Sequence, residues 1–303
     1  MNDYIIRKKQ KKKFVYVDKQ GNKLTKKQYE PYLHVYIPPG YDDVKINKRR
    51  GKVRAIGYDD KRRAQYIYDS KFTNKQSKSK FSKLIDFGKH YQTIHKKIET
   101  DLYTTRETKD KQIATILMLI IECDFRVGND KYTRENKSYG VTTLESRHVR
   151  QKDGKLVVDF IGKKGVRNIC QVQNKKVARN LKTKKKTVGK RGRLFSYQYK
   201  DSLSNVTSKD VNQYLKKMGN YSTKYFRTWS ANISLIQELL DKQSLKDAIE
   251  STSDKLHNTP AVCKKNYLDP KLIHFYEKHP KKFFDFFTGN LNDNYYKFLQ
   301  SHY

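Results

Sequence analysis

The segment Leu256-His257-Asn258-Thr259-Pro260-Ala261-Val262-Cys263-Lys264-Lys265-Asn266-Tyr267 organises the reading of this chain. It places a tyrosine hydroxyl one helical run downstream of a polar cluster, with a break at Pro260. Further breaks at Pro270 and Pro280 imply that helices continue to the C-terminus. Upstream, the apolar spacing over roughly 224–240 predicts another helix, and Ser208 is expected to cap one that runs through Met218. Ile113 to Phe125 is apolar nearly all round, which predicts the buried helix of a larger domain. Phe81, Leu84, Ile85 and Phe87 open a helix that continues toward Ile98. Between these helices, 155–161 and 166–172 flank Gly162-Lys163-Lys164-Gly165, the pattern of a β-hairpin with a glycine-rich tip.

The N-terminal part has a different period. Residues 14–17, 32–37, 53–57 and 65–68 are short β-like segments separated by turn residues, predicting a small, mostly antiparallel sheet. The polar stretch 74–80 (NKQSKSK) is the expected linker. The fold class is therefore α+β. A small antiparallel β domain, 1–75, precedes a larger, mainly α-helical domain, 80–303. The basic run 7–13 is expected to be a solvated arm, and 175–193, with ten Lys or Arg, a basic loop.

Composition limits the partners. Lys plus Arg number 67 against 31 Asp plus Glu, a net charge of +36. Such a charge repels itself in a compact chain unless a polyanion is near, so nucleic acid is the expected partner. The 23 Tyr and 14 Phe supply a core and surfaces for sugars and bases, which a plain packaging protein often lacks. Cys123, Cys170 and Cys263 are few, odd in number and far apart, indicating neither a disulfide framework nor a zinc site. With no apolar leader and no apolar run longer than 113–121, the expectation is a soluble, intracellular protein with no membrane partner.

Cleavage of a phosphodiester by a tyrosine makes four demands. A phenol with an ordinary pKa near 10 must become nucleophilic. Two non-bridging oxygens must be stabilised, a task suited to arginine forks. The leaving oxygen needs a proton, for which a lysine among other cations is suited. All of these groups must be held in line.

Five segments meet those demands in order. Ile37-Pro38-Pro39, Val53 to Asp59 and Arg63-Ala64-Gln65-Tyr66-Ile67-Tyr68 come first. Cys123-Asp124-Phe125-Arg126-Val127-Gly128 follows, with Lys131-Tyr132 and 135–144 behind it. Then come Phe160-Ile161-Gly162-Lys163, Lys224-Tyr225-Phe226-Arg227-Thr228-Trp229 and the opening segment. Together they resemble the poxvirus-type and bacterial-type DNA topoisomerases of type IB over about residues 32–275. The resemblance implies a catalytic domain of the kind shared with tyrosine recombinases, with a hairpin carrying Lys163. It implies Tyr267 as nucleophile, Arg126 and Arg227 on the non-bridging oxygens, and Lys163 as general acid. It implies Asn258 as hydrogen-bond donor to one oxygen, on the gapless match to Tyr267, with His257 as the alternative if the turn is remodelled. Gln65, Tyr66, Tyr68, Lys131 and Tyr132 are implied DNA contacts, and the partner is duplex DNA held by a monomeric clamp. No metal and no cofactor are implied, and the sequence carries neither a phosphate-binding P-loop nor a paired-carboxylate cluster.

Two departures from the pattern stand out. Poxviral members have histidine directly before Thr-Pro; here Asn258 stands there and His257 one residue earlier, as in bacterial relatives. Lys164 occupies a position where relatives often carry aspartate. Singly, these residues have ordinary readings: Arg126 at a helix end, Lys163 solvated on a turn, Arg227 in a surface ion pair, Tyr267 as one tyrosine among 23. Only their joint order favours chemistry. The alternatives are a tyrosine recombinase, which usually has histidine where Lys224 stands, and a non-enzymatic basic DNA-binding protein.

Overall fold

The computed structural model describes residues 3–10, 13–199, 201–241 and 244–303. Two compact units divide the chain, Met1–Lys80 and Phe81–Tyr303. In the first, strands β1 (Tyr4–Gln10), β2 (Lys13–Val17), β3 (Asp42–Asn47), β4 (Val53–Tyr58) and β5 (Ala64–Tyr68) form one antiparallel sheet in the order β2-β1-β3-β4-β5. A short helix, α1 (Lys26–Tyr29), lies between β2 and β3. Ile5, Val44, Ile46 and Ala55 fill its core.

Three local expectations fail in this N-terminal stretch, each for an identifiable reason. Residues 7–10 of the basic run are not an arm but the end of β1, an interior strand. Arg7 shares the buried face with Ile5, and its guanidinium donates to the carbonyls of Ile37, Pro38 and Tyr41 at 2.8–3.0 Å. Lys11 and Lys12 lie outside the described residues. Residues 32–37 form no strand; a 3-10 turn at Glu30–Tyr32 leads into irregular backbone, because Pro31, Pro38 and Pro39 lack the N–H a ladder needs. The stretch 74–80 is not a loop. It lies inside a single helix, α2 (Ser70–Tyr103), since no Gly or Pro interrupts 70–87 and Lys, Gln and Ser tolerate the helix well.

The second unit is built on α3 (Lys109–Cys123), whose residues 111–120 are buried without interruption. Helices α5 (Lys175–Thr187), α6 (Ser208–Lys216) and α7 (Thr223–Leu240) pack on it, and α4 (Asp130–Asn136), α8 (Leu245–Lys255), α9 (Pro260–Asn266), α10 (Pro270–Lys278), α11 (Pro280–Phe286) and α12 (Leu291–His302) complete the helices of the unit. Pro260, Pro270 and Pro280 each occupy a first helical position, where a missing N–H costs nothing. The expected basic loop is largely α5: Asn174 caps it, and Val177 and Leu181, one turn apart, anchor it in the core. Thr207, not Ser208, caps α6, through a reciprocal bond with Asp210.

The hairpin belongs to a three-stranded antiparallel sheet, β6 (Val149–Lys152), β7 (Lys155–Ile161) and β8 (Arg167–Gln171), and β9 (Ser196–Tyr199) with β10 (Ser202–Asn205) forms a separate ribbon. Cys123 and Cys170 form a disulfide. This corrects the expectation that no disulfide is indicated by the cysteines. Their spacing of 47 residues carries no signal, and the pairing arises only because the end of α3 reaches β8.

Candidate active site

At the end of α3 the chain turns sharply. Asp124 caps the helix in the left-handed region (φ 52°), and Phe125 is fully buried against Phe160 of β7, with ring centroids 4.9 Å apart. That turn and anchor project Arg126 from the core. Its carbonyl accepts from Val141 N at 2.9 Å, and Gly128 packs so tightly on Gly140 that a Cβ on the latter would lie 2.4 Å from the Gly128 Cα. The loop that carries Arg126 is therefore fixed at both ends.

Arg227 sits on the second turn of α7 and is only 4% exposed. Its Nη2 donates to Leu256 O at 3.0 Å, while Nε and Nη1, both buried, have no acceptor with hydrogen-bond geometry. The guanidinium lies 5.2 Å from the centroid of the Tyr267 ring. Tyr267 itself caps the C-terminus of α9; its N–H donates to Cys263 O at 2.9 Å. Its carbonyl accepts from Asn232 Nδ2 at 3.0 Å.

The electrostatics converge on the phenol. Burial alone would raise the Tyr267 pKa, but Arg227, Arg126 and Lys163 outweigh it and bring the hydroxyl below its ordinary value. Lys163 is likewise lowered, chiefly by burial and then by Arg126. Burial and the neighbouring Arg227 also lower Arg126. Arg126, Lys163 and Arg227, from segments spread over some 140 positions, thus all bear on the Tyr267 phenol.

Asn258 joins this group through Arg126, whose Nη2 donates to Asn258 Oδ1 at 2.6 Å. The Asn258 Nδ2 donates to Leu256 O at 3.1 Å, the same carbonyl that receives Arg227. His257 turns the other way. In the left-handed region (φ 51°), it stacks on Phe125 at 5.4 Å and places Nε2 3.3 Å from Cys123 O. Burial, ahead of the charges of Arg227 and Arg126, lowers its pKa, and the ring packs behind the site.

The hairpin tip holds Lys163 without an aspartate after it. Lys164 adopts a left-handed conformation (φ 64°), Gly162 N donates to Val166 O at 2.7 Å, and Asn168 Nδ2 donates to the same carbonyl at 2.8 Å. Asn168 lies so close beneath Gly162 that any Cβ there would meet its side chain at 2.5 Å.

Outside this cluster, the expected DNA contacts fall into two groups. On β5, Tyr66 and Tyr68 are exposed side by side, with ring centroids 6.4 Å apart. Gln65 shares the opposite side of the strand with Ile67 and donates to Asp59 Oδ2 at 2.9 Å, so it is not on the tyrosine face. In the second unit, Lys131 and Tyr132 stand exposed on the first turn of α4. Asn129 caps that helix by accepting from their two backbone N–H groups.

Two positioning residues carried no sequence signal that singled them out. Asn232, wholly buried one turn beyond Arg227, binds Tyr267 O and accepts from Asp269 N at 2.7 Å. It is a polar residue in an apolar stripe, the one visible hint. Asp124 is buried behind Arg227, and desolvation, only partly offset by Arg227, pushes its carboxyl up to about 6.

Against known proteins, residues 69–266 match the family model described as "Eukaryotic DNA topoisomerase I, catalytic core"; the match stops one residue short of Tyr267. The chain is 31% identical to a DNA topoisomerase 1B of Acanthamoeba polyphaga mimivirus, over 97% of this chain and 93% of that one. It is 23% identical to a DNA topoisomerase 1 of rabbit fibroma virus, covering 82% and 81%. To the DNA topoisomerase 1B of vaccinia virus (strain Copenhagen) the figure is 21%, over 90% and 89%.

Proposed function

The chain belongs to the type IB DNA topoisomerase family, and from that premise we propose that it relaxes supercoiled duplex DNA by single-strand cleavage at Tyr267, strand rotation and resealing. The Tyr267 oxygen attacks the scissile phosphorus, the bond to the 5′ oxygen breaks, and a 3′-phosphotyrosyl link forms. Lys163 delivers the proton that the departing 5′ oxygen takes up. Arg126 and Arg227 hold the two non-bridging oxygens and Asn258 donates to one of them. The bond energy stays in the ester, so resealing needs no nucleotide.

The observation that carries this reading is the gathering of three cations from three separate segments on one tyrosine, with Arg227 5.2 Å from its ring; they bring its pKa below the ordinary value although burial alone would raise it. The two buried Arg227 nitrogens without a protein acceptor add to it, because uncompensated buried donors are costly and a phosphate oxygen would satisfy them. Lys163, its pKa lowered by burial and then by Arg126, is suited to give up a proton.

The N-terminal unit, with Tyr66 and Tyr68, and the larger unit, with Lys131 and Tyr132, bind the same duplex, the monomer acting as a clamp. The net charge of +36 makes phosphate neutralisation the main source of affinity. The relatives are topoisomerases by name, which favours relaxation over recombination.

Plasmid relaxation in EDTA without nucleotide tests the proposal. Relaxation lost in Tyr267→Phe, with DNA binding retained, is the expected result. Binding without nicking by the unaltered protein would return the chain to the non-enzymatic class.

A further inference from the structure

The disulfide sits where the catalytic machinery is joined. Cys123 is the last residue of α3, three before Arg126. Cys170 lies on β8, the strand that descends from the tip bearing Lys163, opposite Val158 of β7. The two elements also meet through the buried Phe125–Phe160 contact, through Glu122 Oε1, which accepts from Gln173 N and Asn174 N just past β8, and through Tyr139 N, which donates to Ile161 O at 2.9 Å; among the described residues only the disulfide joins them covalently. Asn168 Nδ2, near the tip, binds within the hairpin itself.

We propose that the Cys123–Cys170 bond is a redox-sensitive brace that fixes the Lys163 hairpin against the Arg126 segment. Resting on the reading of Lys163 as general acid, it makes proton delivery depend on the oxidation state of this one pair. The bond forms when two thiols pass two electrons and two protons to a small-molecule disulfide, which leaves as two thiols. A dithiol reverses it.

Cys170 is only partly buried, so its sulfur is the accessible partner for exchange. Cys263 does not compete. It is wholly buried, and burial pushes its thiol up to about 11, leaving almost no thiolate at neutral pH. The Tyr139–Ile161 bond bounds the movement of the tip, but proton transfer is steeply sensitive to distance, so small play at the base of the hairpin still tells at Lys163. Arg126, held by Val141 N and the Gly128–Gly140 contact, has supports of its own. Loss of the brace therefore falls on Lys163 first.

The test compares three forms of the full-length protein in single-turnover cleavage of a short duplex: oxidised, reduced with a dithiol, and Cys170→Ser. Each is run on an ordinary phosphodiester and on a 5′-bridging phosphorothiolate, whose leaving group needs no acid. We expect reduced protein and Cys170→Ser to cleave the phosphodiester about tenfold more slowly than oxidised protein, and all three to cleave the phosphorothiolate alike. Equal rates on the phosphodiester would overturn the brace alone. A deficit that persists on the phosphorothiolate would also overturn it, since the damage would then lie beyond Lys163. Three free thiols in protein exposed to a small-molecule disulfide would overturn it by another route. No covalent adduct in any form would remove the reading of the site, and the brace with it. Because reduction alters no residue, a folding defect in Cys170→Ser leaves the comparison intact.

Discussion

Replacing Arg227 with glutamine removes a buried charge while keeping a side chain of similar reach. The guanidinium carbon lies 5.2 Å from the Tyr267 ring centroid. At an effective dielectric near 20, a unit charge at that separation favours the phenolate by about 3 kcal/mol, or roughly two pKa units. The phosphate contact is a second loss: deleting one preorganised donor to a developing anion costs roughly 10²–10³ in rate. Arg227→Gln is therefore expected to form the covalent adduct two to three orders of magnitude more slowly, with the rising limb of its pH–rate profile moved toward alkaline pH. Arg227→Lys separates the two effects. It retains the charge, hence the position of the limb, but loses the planar fork, hence rate. The assay is single-turnover adduct formation on a short duplex, trapped with detergent at intervals over a range of pH. A glutamine variant within threefold of the unaltered enzyme would refute the reasoning. So would a slow variant whose profile does not move, because Arg227 would then act on the phosphate and not on the phenol.

Other consequences can be checked separately. Asp124 has its carboxyl pushed up to about 6, against an ordinary 3.8, so between those values the folded state holds more protons than the unfolded chain. Stability should then fall as pH rises from about 4 to about 6, by roughly 3 kcal/mol in all, and Asp124→Asn should flatten that part of the curve in thermal denaturation. Asn232→Leu removes the tether to Tyr267 O and leaves Asp269 N without its acceptor. A loss of about 1–3 kcal/mol in urea denaturation, with slower adduct formation, is expected. Reduction of the disulfide frees a loop set by a separation of 47 residues, which the chain-entropy account values at about 4 kcal/mol; a melting temperature indifferent to reductant would contradict it. DNA affinity measured against salt should fall with a log–log slope of about 0.9 per neutralised phosphate, and Tyr66→Ala should weaken binding without changing that slope.

Where periodicity or turn chemistry acts locally, the sequence was a good guide. The uninterrupted apolar run gave α3, the glycines of 162–165 gave the hairpin, and each proline from Pro260 onward marked a helix start. Composition misled where it stood in for conformation. Polar 74–80 and lysine-rich 175–187 looked like loops, yet both are helical, because lysine, glutamine and serine oppose burial of a segment and not its coiling. Arg7 was hidden in a basic run, although its parity with Ile5 marks the inward face of β1. The order of the site motifs was legible along the chain, but what joins them was not. The Cys123–Cys170 pairing, the Leu256 carbonyl shared by Arg227 and Asn258, and the Asn232 hold on Tyr267 are long-range contacts that no local pattern encodes.

Tyr267 is one of 23 tyrosines, and the account stands or falls on which of them becomes joined to DNA. Trapping the cleavage intermediate on a duplex labelled at each end, digesting protein and DNA, and sequencing the modified peptide by mass spectrometry identifies both partners of the bond. The prediction is a nucleotide ester on the peptide containing Tyr267, attached through the 3′ phosphate of the cleaved strand. An ester on any other tyrosine, or attachment through a 5′ phosphate, would contradict it.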